Sequence, residues 1–301
     1  MINFAKTVLV TGSLGFTGYY VTQALENKGY HVIHFTNDSL SSGKPLDLCD
    51  YSTVKDFISK NRPKNVIHLA AIAYVGHGDP WDFYKVNLGG SLNLLRALDE
   101  VDCVEGNIVV ASSANIYGDA YQGIAIEESF EPKPVNDYAV SKLALEKMIE
   151  LWRNRFNIIV TRPFNYTGVG QSIDFLVPKI VNAFKKRDSV IELGNLDVHR
   201  DYSDVRDVAK AYASLLELNK KNLTVNLCSG KLVSLRTIIK TAEELTSHHL
   251  EIIRRGHLIR KNEILSLCGN PKVLNEKCNI WFKISLNETL KFMLLNSDQL
   301  T

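Results

Sequence analysis

Thr7-Val8-Leu9-Val10-Thr11-Gly12-Ser13-Leu14-Gly15-Phe16-Thr17-Gly18 is the stretch on which the fold turns. Five residues rich in β-branched side chains run into three glycines spaced three apart, and an amphipathic pattern starts at Phe16. A strand, a tight turn and a helix are expected in that order. Missing side chains let the turn backbone approach a ligand closely, and the following helix start presents unsatisfied N–H groups to a pyrophosphate. A dinucleotide site formed by Gly12, Leu14, Gly15, Phe16 and Gly18 is the expectation. The spacing is GxxGxxG rather than GxGxxG.

Further along the chain, short apolar runs alternate with amphipathic stretches. Strands are predicted at Thr7–Thr11, His31–Phe35, Asn65–Leu69, Asn107–Ala111, Ile158–Thr161 and Thr224–Leu227, and helices at Phe16–Lys28, Thr53–Asn61, Trp81–Glu100, Tyr138–Phe156 and Val205–Leu218. Repeated βαβ units imply an α/β protein with a doubly wound parallel sheet, covered by helices on both faces. After Arg162 the pattern breaks at Pro163, Gly168, Gly170, Pro178 and Gly194, as where loops build a site. The expected division is a dinucleotide-binding domain from 1–165 and 204–230, and a smaller, mainly C-terminal lobe from 166–203 and 231–301. No internal repeat or low-complexity tract interrupts this plan.

With 301 residues, 45% of them hydrophobic and 23% charged, the chain can bury a large core. Its 35 Lys and Arg against 33 Asp and Glu leave a formal charge of +2, so neither nucleic acid nor a membrane surface is an expected partner. The cysteines, Cys49, Cys103, Cys228, Cys268 and Cys278, are odd in number and never spaced as C-x-x-C, which argues against a disulfide framework or a zinc site. The eight histidines lack ligand spacing and are read as structural or surface residues; no metal is expected. Residues 1–6 lack the pattern of a signal peptide, and no apolar run approaches 18 residues. A cytoplasmic location is expected.

Two stretches carry the chemistry. Ala111-Ser112-Ser113-Ala114-Asn115-Ile116-Tyr117-Gly118 ends a strand, and Tyr138-Ala139-Val140-Ser141-Lys142 opens a helix. Tyr138 and Lys142, at i and i+4, share a helix face, so the ammonium can draw the phenol pKa down from about 10 towards neutrality. A hydroxyl at the carboxyl end of the strand can donate to the same substrate oxygen. At the end of the second strand, Thr36 aligns with the acid that commonly binds the ribose 2′-hydroxyl of NAD. A neutral Thr36, with Asn37, Ser39 or Lys44 as further donors, favours NADPH, with NADH possible; Asp47 and Leu48 align near the adenine.

These motifs, with His68-Leu69-Ala70-Ala71, Val86-Asn87-Leu88-Gly89-Gly90 and Arg162-Pro163-Phe164-Asn165, resemble the extended short-chain dehydrogenase/reductase family, in its NAD-dependent epimerase/dehydratase group. The resemblance covers nearly the whole chain and implies a Rossmann-type fold. It also implies that Leu69, Ala70, Ala71, Asn87 and Arg162 join Tyr138 and Lys142 at the cofactor, and it selects Ser113 as the catalytic hydroxyl. Within the family, the chain is similar to the GDP-mannose 4,6-dehydratases and GDP-4-keto-6-deoxy-D-mannose reductases. The stretches 162–171, 175–179, 193–202, 225–230 and 260–263 carry this narrower match. By the resemblance, Asn165 and Lys179 approach the sugar or diphosphate, Arg200 the diphosphate, and Arg260 with Glu263 the nucleoside ribose. The family commonly dimerises through helices equivalent to Trp81–Glu100 and Tyr138–Phe156, so a homodimer is expected.

One position separates the reactions within this group. The dehydratases carry a Glu two residues before the Tyr of the Tyr-Gly pair, and an epimerase-reductase carries a Cys nearby; this chain has Asn115, with Ala114 before it. Neither exchanges a proton near pH 7. A 4-epimerase that retains NAD is not favoured by Thr36. Reduction of the C4 ketone of a nucleotide-linked 4-keto-6-deoxyhexose is the expected activity, ahead of 4,6-dehydration, 4-epimerisation or nucleotide sensing without catalysis.

Overall fold

The structure is a computed structural model, and it describes residues 6–36, 46–259 and 263–296. Its central sheet has six strands in the order β2-β1-β3-β4-β5-β9. These are β1 (Thr7–Thr11), β2 (His31–Phe35), β3 (Asn65–His68), β4 (Asn107–Ala111), β5 (Asn157–Pro163) and β9 (Thr224–Leu227). The pairs β1 with β2, β1 with β3, β3 with β4 and β4 with β5 are parallel. Every residue of β1 is buried, as a strand covered on both faces requires.

Helices α1 (Phe16–Glu26), α2 (Tyr51–Asn61), α4 (Ser91–Val101) and α5 (Asp137–Glu150) connect these strands, and α7 (Val205–Leu216) precedes β9. Local chemistry sets several ends. Asp50 caps α2 by accepting from the Ser52 amide, and Arg62 ends it in the left-handed region immediately before Pro63. Gly29, at φ 77°, reverses the chain after α1 while the Tyr30 amide reaches back to the Leu25 carbonyl. The predicted helix at Trp81–Glu100 is three pieces: a short turn α3 (Pro80–Asp82), a π-helical segment Phe83–Gly90, and α4.

The chain divides into two compact units. The first comprises 1–116, 134–162 and 209–225; Leu9, Val66, Leu94, Leu98, Ile108 and Ile158 belong to its core. The second comprises 117–133, 163–208 and 226–301. There β8 (His199–Asp204) pairs with β6 (Asn165–Thr167), β10 (Leu232–Ser234) and β12 (Ser266–Leu267). A separate parallel pair joins β7 (Val190–Leu193) to β11 (Glu251–Arg254). Helices α6 (Leu176–Lys186), α8 (Leu235–Thr246) and α9 (Leu286–Leu295) pack around Ile180, Phe184, Leu193, Ile238 and Leu290. Among the described residues, no helix is long and apolar enough to cross a membrane.

Candidate active site

The glycine loop joins β1 to α1. Gly12 sits at φ 70°, and a Cβ placed there would lie 3.0 Å from the backbone of Ala70. The Gly15 amide donates to the Gly12 carbonyl at 3.1 Å. Gly15 is the N-cap of α1 and, as a glycine, offers the first-turn amides no side-chain cap. A Cβ on Gly18 would collide with that same Gly12 carbonyl, so only glycine lets α1 seat this close to the loop. Leu14 is exposed at the loop tip and Phe16 opens the helix. This cradle of bare backbone ahead of a helix start fits a dinucleotide pyrophosphate.

Thr36 follows directly on β2. Asn37, Ser39 and Lys44 lie outside the described residues. Asp47 turns its carboxylate onto the Cys49 amide at 2.8 Å, and the Leu48 carbonyl accepts from the Asn93 side chain at 2.9 Å. Leu69 and Ala70, just beyond β3, donate their amides to the Thr11 carbonyl and hydroxyl respectively. Ala71 follows them and is half-buried.

The catalytic candidates occupy the carboxyl end of β4 and the start of α5. Ser113 Oγ accepts from the Asn115 amide at 3.1 Å, a turn that fixes the hydroxyl while leaving its proton to be donated. Ser112 Oγ, by contrast, is buried with no hydrogen-bond partner among the described residues. Asn136 caps α5 through the Ala139 amide, which sets Tyr138 in the first turn. Tyr138 is buried, its ring 5.9 Å from that of Phe83 in an edge-on contact. Lys142, one turn later, donates from Nζ to the Ala111 carbonyl at 2.8 Å. Burial pulls the Lys142 pKa down to about 8, partly offset by the Glu146 carboxylate.

Arg162 meets Glu146 in a buried fork, Nε to Oε1 at 3.0 Å and one terminal nitrogen to Oε2 at 2.7 Å. Asn87 is also engaged with protein. Its Oδ1 accepts from the Ile72 amide at 2.8 Å, and its Nδ2 donates to the Ile72 carbonyl at 3.2 Å and to Ser141 Oγ at 3.1 Å. Ser141 Oγ in turn donates to the Tyr138 carbonyl at 2.8 Å.

His68, Ser91 and Ser141 carry no role predicted from the sequence. In the structure His68 is buried between two hydroxyls, with Nδ1 2.7 Å from Thr11 Oγ1 and Nε2 2.7 Å from Ser91 Oγ. Ser91 donates to the Asn87 carbonyl at 2.6 Å, so its oxygen accepts from Nε2–H, and Nδ1 accepts from Thr11. Burial, reinforced by the nearby Lys142 charge, depresses the His68 pKa to about 3 and keeps the ring neutral. The available signal was a polar side chain at a fully buried position of a parallel strand, where a partner is obligatory.

The substrate candidates lie in the second unit. Asn165 begins β6 and is exposed. Lys179 Nζ donates to the Glu192 carbonyl at 2.8 Å. Arg200 donates to the carbonyls of His199 at 2.9 Å and Leu265 at 3.0 Å, and also to that of Ile264. Asp197 pairs with Arg236 and Arg254. Glu263 holds one carboxylate oxygen buried with no hydrogen-bond partner among the described residues, and Arg260 lies outside them. Glu127 and Glu128, acids of the loop before Tyr138, accept from the Asn270 side chain and the Asn226 amide within this unit.

The NAD dependent epimerase/dehydratase family model matches residues 8–228. A GDP-6-deoxy-D-talose 4-dehydrogenase of Aggregatibacter actinomycetemcomitans is 35% identical over 291 residues, 96% of this chain and 97% of its own. A GDP-6-deoxy-D-mannose reductase of Pseudomonas aeruginosa is 30% identical over 299 residues, with 96% of each chain covered. Among solved structures, RMD from Pseudomonas aeruginosa complexed with NADPH is similar at a TM-score of 0.86 and 29% identity, over 96% of this chain and 97% of that one. A glycine cradle after β1, Ser113 just beyond β4 with Tyr138 and Lys142 on α5, and a match along almost the whole chain lead to one assignment: the chain belongs to the NAD dependent epimerase/dehydratase family.

Proposed function

We propose that this protein is an NADPH-dependent reductase of the C4 ketone of a nucleotide-linked 4-keto-6-deoxyhexose, with GDP-4-keto-6-deoxy-D-mannose as its substrate. The reading is carried by Ser113 just beyond β4, Tyr138 and Lys142 at the start of α5, and Asn115 at the position where the dehydratases carry Glu: groups suited to proton transfer to an oxygen, with an amide in place of the C5 acid. The GDP-sugar relatives agree with it.

NADPH would be held by the backbone of Gly12 to Gly18, with Thr36 leaving room in charge for a 2′-phosphate, and Asp47, Leu48 and 69–71 along its nucleoside. When bound, it supplies the hydride that C4 receives. Tyr138 donates its phenolic proton to the C4 oxygen, and Ser113 donates a hydrogen bond to the same oxygen. Ketone plus hydride plus proton gives a secondary alcohol, and the phenolate is reprotonated from solvent. Lys142 favours the phenolate by charge; tied to the Ala111 carbonyl and with its pKa at about 8, it stays largely protonated at pH 7. Asn115 cannot abstract a proton, so the C5–H bond stays intact.

On this reading Asn165, Lys179, Arg200, Arg260 and Glu263 serve the nucleotide sugar. One Glu263 carboxylate oxygen, buried and with no hydrogen-bond partner among the described residues, is an acceptor that a ribose hydroxyl would satisfy. Exposed Leu92, Val140 and Leu151 on and beside α4 and α5 support a homodimer through those helices. Free thiols, four of them buried, suit a reducing cytoplasm.

The test is an assay with GDP-4-keto-6-deoxy-D-mannose and NADPH. Consumption of one NADPH per ketone is expected, giving GDP-D-rhamnose or its C4 epimer. Incubation with GDP-mannose and catalytic NADP⁺ should produce no keto sugar; its appearance would overturn the reductase reading.

A further inference from the structure

One continuous hydrogen-bonded path crosses the first unit from the nucleotide-binding strand to the catalytic helix. It begins at Thr11, the last residue of β1 before Gly12, whose hydroxyl accepts from the Ala70 amide at 3.2 Å and donates to His68 Nδ1 at 2.7 Å. His68 Nε2 donates to Ser91 Oγ at 2.7 Å, and Ser91 donates to the Asn87 carbonyl at 2.6 Å. Asn87 Nδ2 donates to Ser141 Oγ at 3.1 Å, and Ser141 donates to the carbonyl of Tyr138 at 2.8 Å. Thr11, His68, Asn87, Ser91 and Ser141 are each at least 95% buried. Every donor direction is consistent with one neutral histidine tautomer.

The middle of the path coincides with the π-helical segment Phe83–Gly90. That geometry widens one turn, and such turns are frequent at functional sites. The same segment meets α5 twice more: Phe83 sets its ring edge-on to Tyr138, and the Tyr84 hydroxyl donates to Asp137 at 2.8 Å. Three side chains of the segment therefore touch the first turn and a half of α5, where Tyr138 and Lys142 lie.

We propose that His68 is a positioning residue for the reaction: by holding Ser91 and Thr11 together it references the π-helical segment, and through it Tyr138, to the strand that carries the glycine loop. This rests on the reading of Tyr138 as the proton donor. A neutral ring is what this role requires, because it donates to one hydroxyl and accepts from the other. In a low-dielectric interior each unmade bond of such a network is costly, so the path specifies one placement of α5. Reaction rates respond steeply to that placement, since a misfit of about 1 Å costs up to about 100-fold.

The test uses the full chain and two readouts that do not depend on each other. The phenol of Tyr138 is titrated by absorbance near 295 nm, with Tyr138→Phe as the reference that isolates its signal. Turnover and NADPH dissociation constants are measured in parallel. His68→Phe, which keeps a ring and loses both hydrogen bonds, should raise the Tyr138 titration midpoint by roughly one unit and lower kcat about tenfold, with NADPH affinity within about threefold of wild type. His68→Gln, which can still donate to Ser91, should recover most of both effects. Ser141→Ala, a small change at the far end of the path, should reproduce the His68→Phe shift and covers the case in which that variant does not fold.

A wild-type Tyr138 titration in folded His68→Phe and Ser141→Ala would overturn the positioning role. So would a His68→Gln variant as impaired as His68→Phe. Absence of turnover by the wild type would instead reject the substrate reading, while the phenol titration would still report on the path.

Discussion

Thr36 stands where β2 ends and carries a hydroxyl rather than a carboxylate. An acid there would accept from a ribose 2′-hydroxyl and repel a 2′-phosphate, so Thr36→Asp should move the ratio of kcat/KM for NADPH over NADH by roughly tenfold or more towards NADH. Steady-state assays with both cofactors measure it; a wild type already selective for NADH contradicts the role given to Thr36. Tyr138 is the other residue on which much depends. Removing its phenolic oxygen in Tyr138→Phe should lower turnover by about 10²–10⁴-fold, the usual contribution of a positioned acid, with nucleotide affinity nearly unchanged. A variant as active as the wild type would remove the proton donor from the mechanism.

Among the elements, the turn between β1 and α1 is constrained at two of its glycines for different reasons. Gly12 needs a left-handed backbone, whereas Gly18 needs space, because a Cβ there would strike the Gly12 carbonyl. Gly18→Ala should therefore push α1 off the loop, costing about 1–3 kcal/mol as overpacking does, and weaken NADPH binding. Gly15→Ala is the milder comparison, since its Cβ would stand 3.3 Å from the same oxygen. Melting temperatures and NADPH titrations of the two variants should rank Gly18→Ala as the worse; the reverse order would show that the helix seat is not what Gly18 protects. The amphipathic pattern after Tyr138 runs to Phe156, yet α5 ends at Glu150. The Trp152 and Arg155 amides bond three residues back, and Asn222, far along the chain, takes the Arg153 carbonyl at 3.0 Å. That tightened ending depends on a partner 69 residues away, which no local pattern announces.

For the molecule as a whole, the buried neutral His68 predicts acid lability. Its folded pKa, about 3, lies below the unfolded value near 6.5, so the unfolded chain takes up this proton first. Stability is then complete above about pH 6.5 and is lost as pH falls towards 3; at pH 5 the loss from this group is about 2 kcal/mol. Denaturation midpoints from pH 7 to 4.5 should fall more steeply for the wild type than for His68→Asn. Equal slopes would mean that His68 is protonated in the folded protein. Lys142 acts in the opposite window: its pKa of about 8, below the usual 10.5, makes stability rise between those values as the unfolded chain's extra proton is lost.

Features that depend on neighbours a few residues apart are legible in the amino-acid order alone. The order of the β1–α1–β2 unit, the glycine turn, and Tyr138 and Lys142 on one helix face follow from period and spacing, and β1, β2, β4 and β9 appear at the predicted residues. Tertiary structure decided the choice among distant partners. Arg162 found Glu146, and Arg200 found the backbone carbonyls of residues 199, 264 and 265. His68, quoted only as part of a motif, became the centre of a buried path. The small sheets of the second unit were also beyond reach, because β6, β10 and β12 have two or three residues each and their common partner β8 lies tens of residues away. Strands that short hold too little alternation to be read, and a hydrogen-bonding group states that it needs a partner without stating which one the fold will bring.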